Sequence, residues 1–331
     1  MQHAIELDGV RKAFGGNVAV AQMDLAVPTG GVYGFIGPNG AGKSTTIRMI
    51  MGILFPDEGT VGVLGRRNAV EARQKVGYLP EERGVYRKMK VGAFLRYVGR
   101  LKGMGTGDLE RQIRAWLGRV DLGETIHKKC EELSKGMQQK VQFIAAVINR
   151  PELLILDEPF SGLDPVNMRL LRDLIREQHS EGRTIIFSTH VMAQAEQVCE
   201  HIVMIDRGQK VLDDSLASIR AQHDPRTIVF EPFDPKADLS VLSGVPGVRH
   251  VAQPQAGAMR EISLREEANA GEVMRLLAGA VVPSRLELRR PSLEDVFIRI
   301  VSGKDDLRTP EQEERLRAAV RENGAGREVG A

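Results

Sequence analysis

Gly37-Pro-Asn-Gly-Ala-Gly-Lys-Ser-Thr45 carries the spacing Gly-x4-Gly-Lys-Ser, in which successive backbone N–H groups can converge on one anion. Gly37, Gly40 and Gly42 let the chain approach closely around Pro38, Asn39 and Ala41. Lys43 reaches the β and γ groups of a nucleoside triphosphate, and the Ser44 hydroxyl ligates Mg²⁺. From average residue usage, four fixed positions in a chain of this length match by chance about one per cent of the time. Asp157 and Glu158 follow the aliphatic run Leu153–Leu156. A carboxylate ending a buried strand is costly unless a cation meets it, and the Mg²⁺ on Ser44 is the natural partner of Asp157. Glu158, directed elsewhere, is placed as a general base for water attacking the γ-phosphate. An isolated Asp-Glu pair would equally read as a solvated turn or a helix cap. His190, two residues beyond Ser188 after the run Thr184–Phe187, reads either as a structural histidine or as a donor to the γ-phosphate. Phe14, in Arg11-Lys-Ala-Phe-Gly-Gly16, either packs in the core or stacks on a base.

A second anion-facing element lies far downstream. Glu132-Leu-Ser-Lys-Gly-Met-Gln-Gln-Lys140 reads as a helix start, with Ser134 and Gly136 where free N–H groups point outward, ahead of an apolar run from Val141.

These residues need a scaffold of strand ends. Gly31–Ile36 breaks into the glycine loop and is followed by helical spacing from Lys43 to Leu54, giving strand, loop, helix. Leu153–Leu156 and Thr184–Phe187 have the unbroken aliphatic character of parallel strands buried on both faces. Ligands in such sheets bind beyond the carboxyl ends of the strands, so three strand ends point at one site. Residues from about 82 to 140 turn helical, with amphipathic stretches at Val91–Val98 and Leu109–Leu117. A strand pair, His201–Ile205 and Lys210–Leu212, precedes an expected linker at Ala221–Pro225. Beyond it the order β-α-β-β-α-β, with helices near Asp238–Leu242 and Ala268–Ala280, predicts a ferredoxin-like domain. A last helix covers Leu293–Val301, and a charged, frayed tail follows. The predicted organisation is a P-loop α/β cassette over 1–220, with a mostly parallel central sheet and the helical insertion at 82–140, then a small α+β domain over 221–303 and the tail over 304–331.

The 331 residues, 42% hydrophobic and 27% charged, describe a globular chain with room for one large and one smaller domain. A formal net charge of +2 gives no basic field, so no nucleic-acid partner is expected. No apolar run reaches the roughly 18 residues of a membrane span, and the N-terminus lacks a signal peptide's pattern, so a cytoplasmic location is expected. Cys130 and Cys199 are too few for a disulfide framework and read as free thiols.

The set Phe14, Gly37–Thr45, Gly77-Tyr-Leu-Pro-Glu81, Leu133-Ser-Lys-Gly-Met137, Leu153–Glu158, Ser161-Gly-Leu-Asp164 and His190, in that order, resembles the nucleotide-binding subunits of ATP-binding cassette transporters over about residues 4–220. The resemblance implies ATP and Mg²⁺ as ligands and a head-to-tail pair of cassettes, homodimer or paralogue. It also implies a separate integral membrane permease, so that the chain is peripheral on the inner face of the membrane. In such pairs the signature helix of one cassette faces the γ-phosphate held by the other, which gives Ser134 and Gly136 a role in trans. Glu81 stands where the family usually has a glutamine near Mg²⁺, and Lys135 and Met137 depart from the usual Leu-Ser-Gly-Gly-Gln. With the small second domain and Ser292–Phe297, these departures resemble the exporter branch with sodium, drug, antibiotic and lipid efflux systems. The alternative is a non-transport cassette ATPase of the translation or DNA-repair type.

Overall fold

The computed structural model describes residues 2–67, 69–82, 84–222, 227–253, 258–289 and 291–302; the expected tail and most of the expected linker lie outside these. Two compact units meet at Leu216 and Ala217. The first begins β1 (His3–Phe14), β2 (Asn17–Pro28), β3 (Val32–Ile36), α1 (Lys43–Ile50), β4 (Glu58–Val63), α2 (Ala69–Ala72) and β5 (Val76–Leu79). It continues α3 (Val91–Leu101), α4 (Thr106–Arg119), α5 (Lys135–Val147), β6 (Leu153–Asp157), α6 (Pro165–Ser180), β7 (Thr184–Thr189), α7 (Met192–Val198), β8 (His201–Asp206) and β9 (Gln209–Ser215). The chain passes into the second unit within α8 (Leu216–Gln222).

The aliphatic runs become the middle of one sheet, ordered β5-β6-β7-β3-β8-β9. Its pairs are parallel except β8 with β9. Every residue of β6 and β7 is buried, which is why these segments show no polar alternation: Leu153, Ile155 and Ile186 enter a core with residues of β1, β2 and α1, and each buried Leu or Ile side chain contributes about 1.5–3 kcal/mol. Register sets Asp157 beside Ser188 and Ile36 beside Thr189, so the carboxyl ends of β6, β7 and β3 are neighbours. These are the three strand ends that the aliphatic runs predict. Over residues 3–28 the sequence predicts no strand, yet β1 and β2 lie there and pair, with β4, in an antiparallel sheet ordered β2-β1-β4. Register shifts between Leu7 and Val10, and positive φ angles at Gly9 (56°) and Gln22 (45°), interrupt the two-residue alternation that would have revealed it. Ile5, Leu7 and Val10 of this sheet share a core with Phe35 and with Ile47 and Ile50 of α1.

The expected helical insertion comprises α3, α4 and the start of α5. Leu95 of α3 and Ile113 of α4 are fully buried, and a Cβ at Gly99 would stand 2.3 Å from Leu109 Cδ1, so the two helices touch there through a residue without a side chain. Trp116 packs its edge on Phe143 of α5.

In the second unit, β10 (Thr227–Pro232), β11 (Val248–Ala252), β12 (Arg260–Leu264), α9 (Ala270–Ala280), β13 (Pro283–Arg289) and α10 (Leu293–Ser302) follow in order. The sheet runs β11-β12-β10-β13 with all neighbours antiparallel, as the split β-α-β-β-α-β pattern requires. The helix expected near Asp238–Leu242 is instead a 3-10 helix, Ser240–Gly244. The Asp238 carboxylate accepts from the Ser240 N–H, and Gly244 and Pro246 follow too soon for a full α-helix. Leu242 still joins Ile228, Phe230, Ile262 and Leu277 in the core. Among the described residues no helix is long and apolar enough to cross a membrane.

Candidate nucleotide site

Gly37–Gly42 joins β3 to α1 as a loop that only glycine tolerates at its ends. Gly37 has φ 153° and a Cβ there would lie 2.0 Å from the Ile205 carbonyl oxygen; Gly42 has φ 106° and its Cβ would lie 2.4 Å from that of Ala19. Gly42 is the N-cap of α1 and no side chain caps that helix, so its first N–H groups face the loop. Pro38, Asn39 and Gly40 lie within this turn, which Ala41 N–H closes on the Pro38 carbonyl at 3.2 Å, and Ser44 and Thr45 lie in the first turn of α1. Lys43 is 6% exposed and donates from Nζ to the carbonyls of Gly37 (2.7 Å) and Pro38 (3.0 Å). Burial lowers its pKa, against the opposing fields of Glu158, Asp157 and Glu81.

Those three carboxylates come from the ends of β5 and β6. Burial raises the Asp157 pKa, with the Ser188 hydroxyl opposing and the Glu158 charge adding to the rise. Its Oδ1 is buried without a hydrogen-bond partner, and the Ser44 hydroxyl lies close enough to act on the same carboxyl. An orphaned carboxylate oxygen beside a hydroxyl is the donor set that a small hard cation takes when phosphate oxygens and water complete its shell, so these residues fit Mg²⁺. Among the described residues no cluster of three or more His, Cys, Asp or Glu side chains would hold a metal by itself. The Glu81 pKa is raised by burial and then by the charges of Asp157 and Glu158.

Glu158 and His190, read separately from sequence, are joined. Glu158 Oε1 accepts from the His190 N–H at 2.8 Å and lies 2.6 Å from His190 Nδ1; Oε2 accepts from Thr189 Oγ1 at 3.1 Å. Glu158 is 6% exposed, has φ 47°, and donates its own N–H to the Ser188 carbonyl at 2.9 Å.

Phe14 is 50% exposed at the end of β1, which removes the core reading, and the Lys12 ammonium stands 5.7 Å from its ring centroid. Asp57 was missed. Its carboxylate accepts from Lys12 Nζ and from the Ala13 N–H, both at 2.7 Å, and ties down the strand end that carries Phe14. The turn signal at Pro56-Asp57 was the only hint in the sequence. Because the ring lies outside the core, Phe14→Ala is expected to leave the melting temperature nearly unchanged while weakening ATP affinity by about 1–3 kcal/mol, the worth of one base stack. Titration with a fluorescent ATP analogue checks this, and unchanged affinity would remove the stacking role.

Among the described residues neither Ser134 nor Gly136 is hydrogen-bonded to the P-loop. Ser134 is the N-cap of α5 and accepts from the Met137 N–H at 3.3 Å. A Cβ on Gly136 would lie 3.3 Å from Asn167 Nδ2, so this helix start sits against the start of α6, which Asp164 caps. No acid occupies the first turn of α5, and Lys135 adds positive charge to it. Gln142 of the same helix donates to the Glu82 carbonyl at 3.3 Å, linking α5 to the loop that carries Glu81.

A P-loop, a buried Asp-Glu strand end and a histidine just past the neighbouring strand are the features of a nucleotide site of the cassette type. Residues 20–161 match the family model described as ABC transporter, and residues 215–301 the one described as ATP-binding protein DrrA1-3-like, C-terminal domain. The chain is 40% identical over 299 residues to the uncharacterized ABC transporter ATP-binding protein YhaQ of Bacillus subtilis, an alignment covering 90% of this chain and 99% of that one. It is 34% identical over 304 residues to the Nod factor export ATP-binding protein I of Sinorhizobium fredii, covering 90% and 85%. A solved structure titled "Structure of ATP binding subunit of ABC transporter" aligns at TM-score 0.62 and 32% identity, over 66% of this chain and 92% of that one. A second, cbiO1 from Clostridium perfringens, shares the fold at TM-score 0.59 and 22% identity, over 67% and 92%. The chain belongs to the family of ABC transporter ATP-binding proteins. These relatives are subunits of ATP-driven transporters, which sets aside the translation or repair alternative.

Proposed function

We propose that this chain is the ATP-hydrolysing subunit of a membrane exporter, working as a pair of cassettes on a separately encoded permease at the inner face of the membrane. The observation that carries the hydrolytic part is the Glu158 carboxylate, held by Thr189 and His190 at the ends of adjacent buried strands and within the electrostatic reach of Lys43. In this reading the P-loop N–H groups and Lys43 bind the β and γ phosphates, Phe14 stacks on the base, and Ser44 and Asp157, with Glu81 nearby, hold Mg²⁺. When bound, the metal neutralises phosphate charge and orients the oxygens for in-line attack. Glu158 takes the proton of the attacking water, and His190 stays beside it as a contact to the γ-phosphate. Ser134 and Gly136 contribute to the partner's nucleotide through the positive start of α5. Export is supported by the name of the Sinorhizobium relative, a Nod factor export ATP-binding protein, and a separate permease by the absence of any helix long and apolar enough to cross a membrane among the described residues.

The trans arrangement makes a specific demand. Ser134→Arg should retain ATP binding at its own P-loop yet lose turnover, because the bulky side chain fills the γ-phosphate position of the facing site. Removing the Ser134 cap also costs about 1 kcal/mol, so Ser134→Ala is the control for that loss alone. Mixing Ser134→Arg with Lys43→Ala, each inactive by itself, should restore turnover, since one composite site then has both an intact P-loop and an intact signature. Wild-type turnover by Ser134→Arg alone would refute the assignment. Co-purification of the chain from membranes, with identification of the integral protein that accompanies it, tests the permease.

A further inference from the structure

Glu158 is anchored at both carboxylate oxygens, by His190 at Oε1 and by Thr189 at Oε2, and of the two only His190 has been given a contact with the γ-phosphate. Oε2 is met by Thr189, the last residue of β7, which is fully buried and lies beside Ile36 of β3. A threonine hydroxyl has one proton to give and can accept two bonds. The Val191 N–H donates to Oγ1 at 3.1 Å, and the Gln194 side-chain amide of α7 lies 3.2 Å away through Oε1. A neutral amide oxygen and a charged carboxylate therefore compete for one proton, and charge-assisted bonds are about twice as strong as neutral ones. The proton goes to Glu158. The amide of Gln194, turned end for end, then offers its NH2 to the second acceptor position, so that the hydroxyl is satisfied on every side.

The terminal torsion of a glutamate is broad, so a carboxylate held at one oxygen still rotates, whereas one held at both presents a fixed plane. We infer that Thr189 is a positioning residue of the hydrolytic step: its hydroxyl, held by Val191 and Gln194, fixes the plane of the Glu158 carboxylate toward the attacking water. The inference rests on the general-base role proposed for Glu158. A small misplacement of a reacting group carries a large rate penalty, so the effect belongs in kcat rather than in ATP binding.

The test compares ATP turnover by the full chain carrying Thr189→Val, Thr189→Ser or Glu158→Gln. Thr189→Val keeps the shape and removes the donor; kcat should fall about ten- to a hundredfold, the worth of a hydrogen bond to a charged group, with KM for ATP and the affinity for a fluorescent ATP analogue unchanged. Thr189→Ser, which retains the hydroxyl, should recover most of that kcat. Should the valine variant fail to fold, Thr189→Ala is read by the same criteria. Wild-type kcat in the variants lacking the hydroxyl, or a loss that moves KM equally and is not recovered by serine, would overturn the positioning role if Glu158→Gln is inactive. Wild-type turnover by Glu158→Gln would instead overturn the general-base assignment itself.

Discussion

Glu158→Gln is expected to lower ATP turnover by about 10²–10⁴-fold, the usual contribution of a positioned base, while ATP binding survives. The amide keeps the size of the side chain: its oxygen can still accept from the His190 N–H, and its NH2 can donate to the Thr189 hydroxyl once that proton turns to Gln194 Oε1, so the strand ends should not move. What is lost is the capacity to take a proton. If two cassettes close on ATP and reopen only after hydrolysis, blocking hydrolysis leaves the closed state populated in proportion to its tighter grip on the nucleotide. Light scattering after size-exclusion chromatography should then show a persistent dimer with Mg·ATP and a monomer without it. A variant that stays monomeric with ATP bound, while the wild type turns over at concentrations where no dimer exists, would contradict the sandwich.

Lys43→Ala should abolish detectable ATP binding, a weakening of at least about a hundredfold. Lys43 supplies the only full positive charge within Gly37–Thr45, and it is buried beside Asp157, Glu158 and Glu81. Its removal leaves the charges of those three acids without the cation that opposes them, so an attraction for phosphate is replaced by repulsion. The bonds from its ammonium to the Gly37 and Pro38 carbonyls also disappear, which loosens the loop itself. Titration with an ATP analogue together with a thermal melt separates the two effects: affinity should collapse with a modest change in melting temperature. Unchanged turnover at saturating Mg·ATP would refute the P-loop assignment.

Much of this site was legible because its parts sit at the ends of segments with strong patterns. Leu153–Leu156 and Thr184–Phe187 have the unbroken aliphatic character of buried strands, which puts Asp157, Glu158 and His190 at or just beyond their carboxyl ends. The second unit was legible from strand and helix order, and its one error, the 3-10 helix at Ser240–Gly244, arose where Asp238 and Pro246 left too little chain for more. The sheet of β1, β2 and β4 was not legible because its bulges break the alternation that periodicity detects. Contacts between distant side chains were equally hidden. Nothing in the order of residues says that Asp57 steadies the strand bearing Phe14, that Glu158 and His190 share a hydrogen bond, or that Thr189 reaches the second carboxylate oxygen. These depend on register between strands far apart in the chain, which local pattern does not encode.

The left-handed backbone at Glu158, φ 47°, sets folding against chemistry at a single position. A glycine would sit there without the Cβ penalty and relax the turn after β6 by about 1 kcal/mol, but it carries no carboxylate. It would also leave the Thr189 hydroxyl and the His190 N–H without their acceptor, a loss of about 1.5–3 kcal/mol for each bond to a charged group, so the same contacts that aim the carboxylate hold down a backbone turn the residue accommodates poorly.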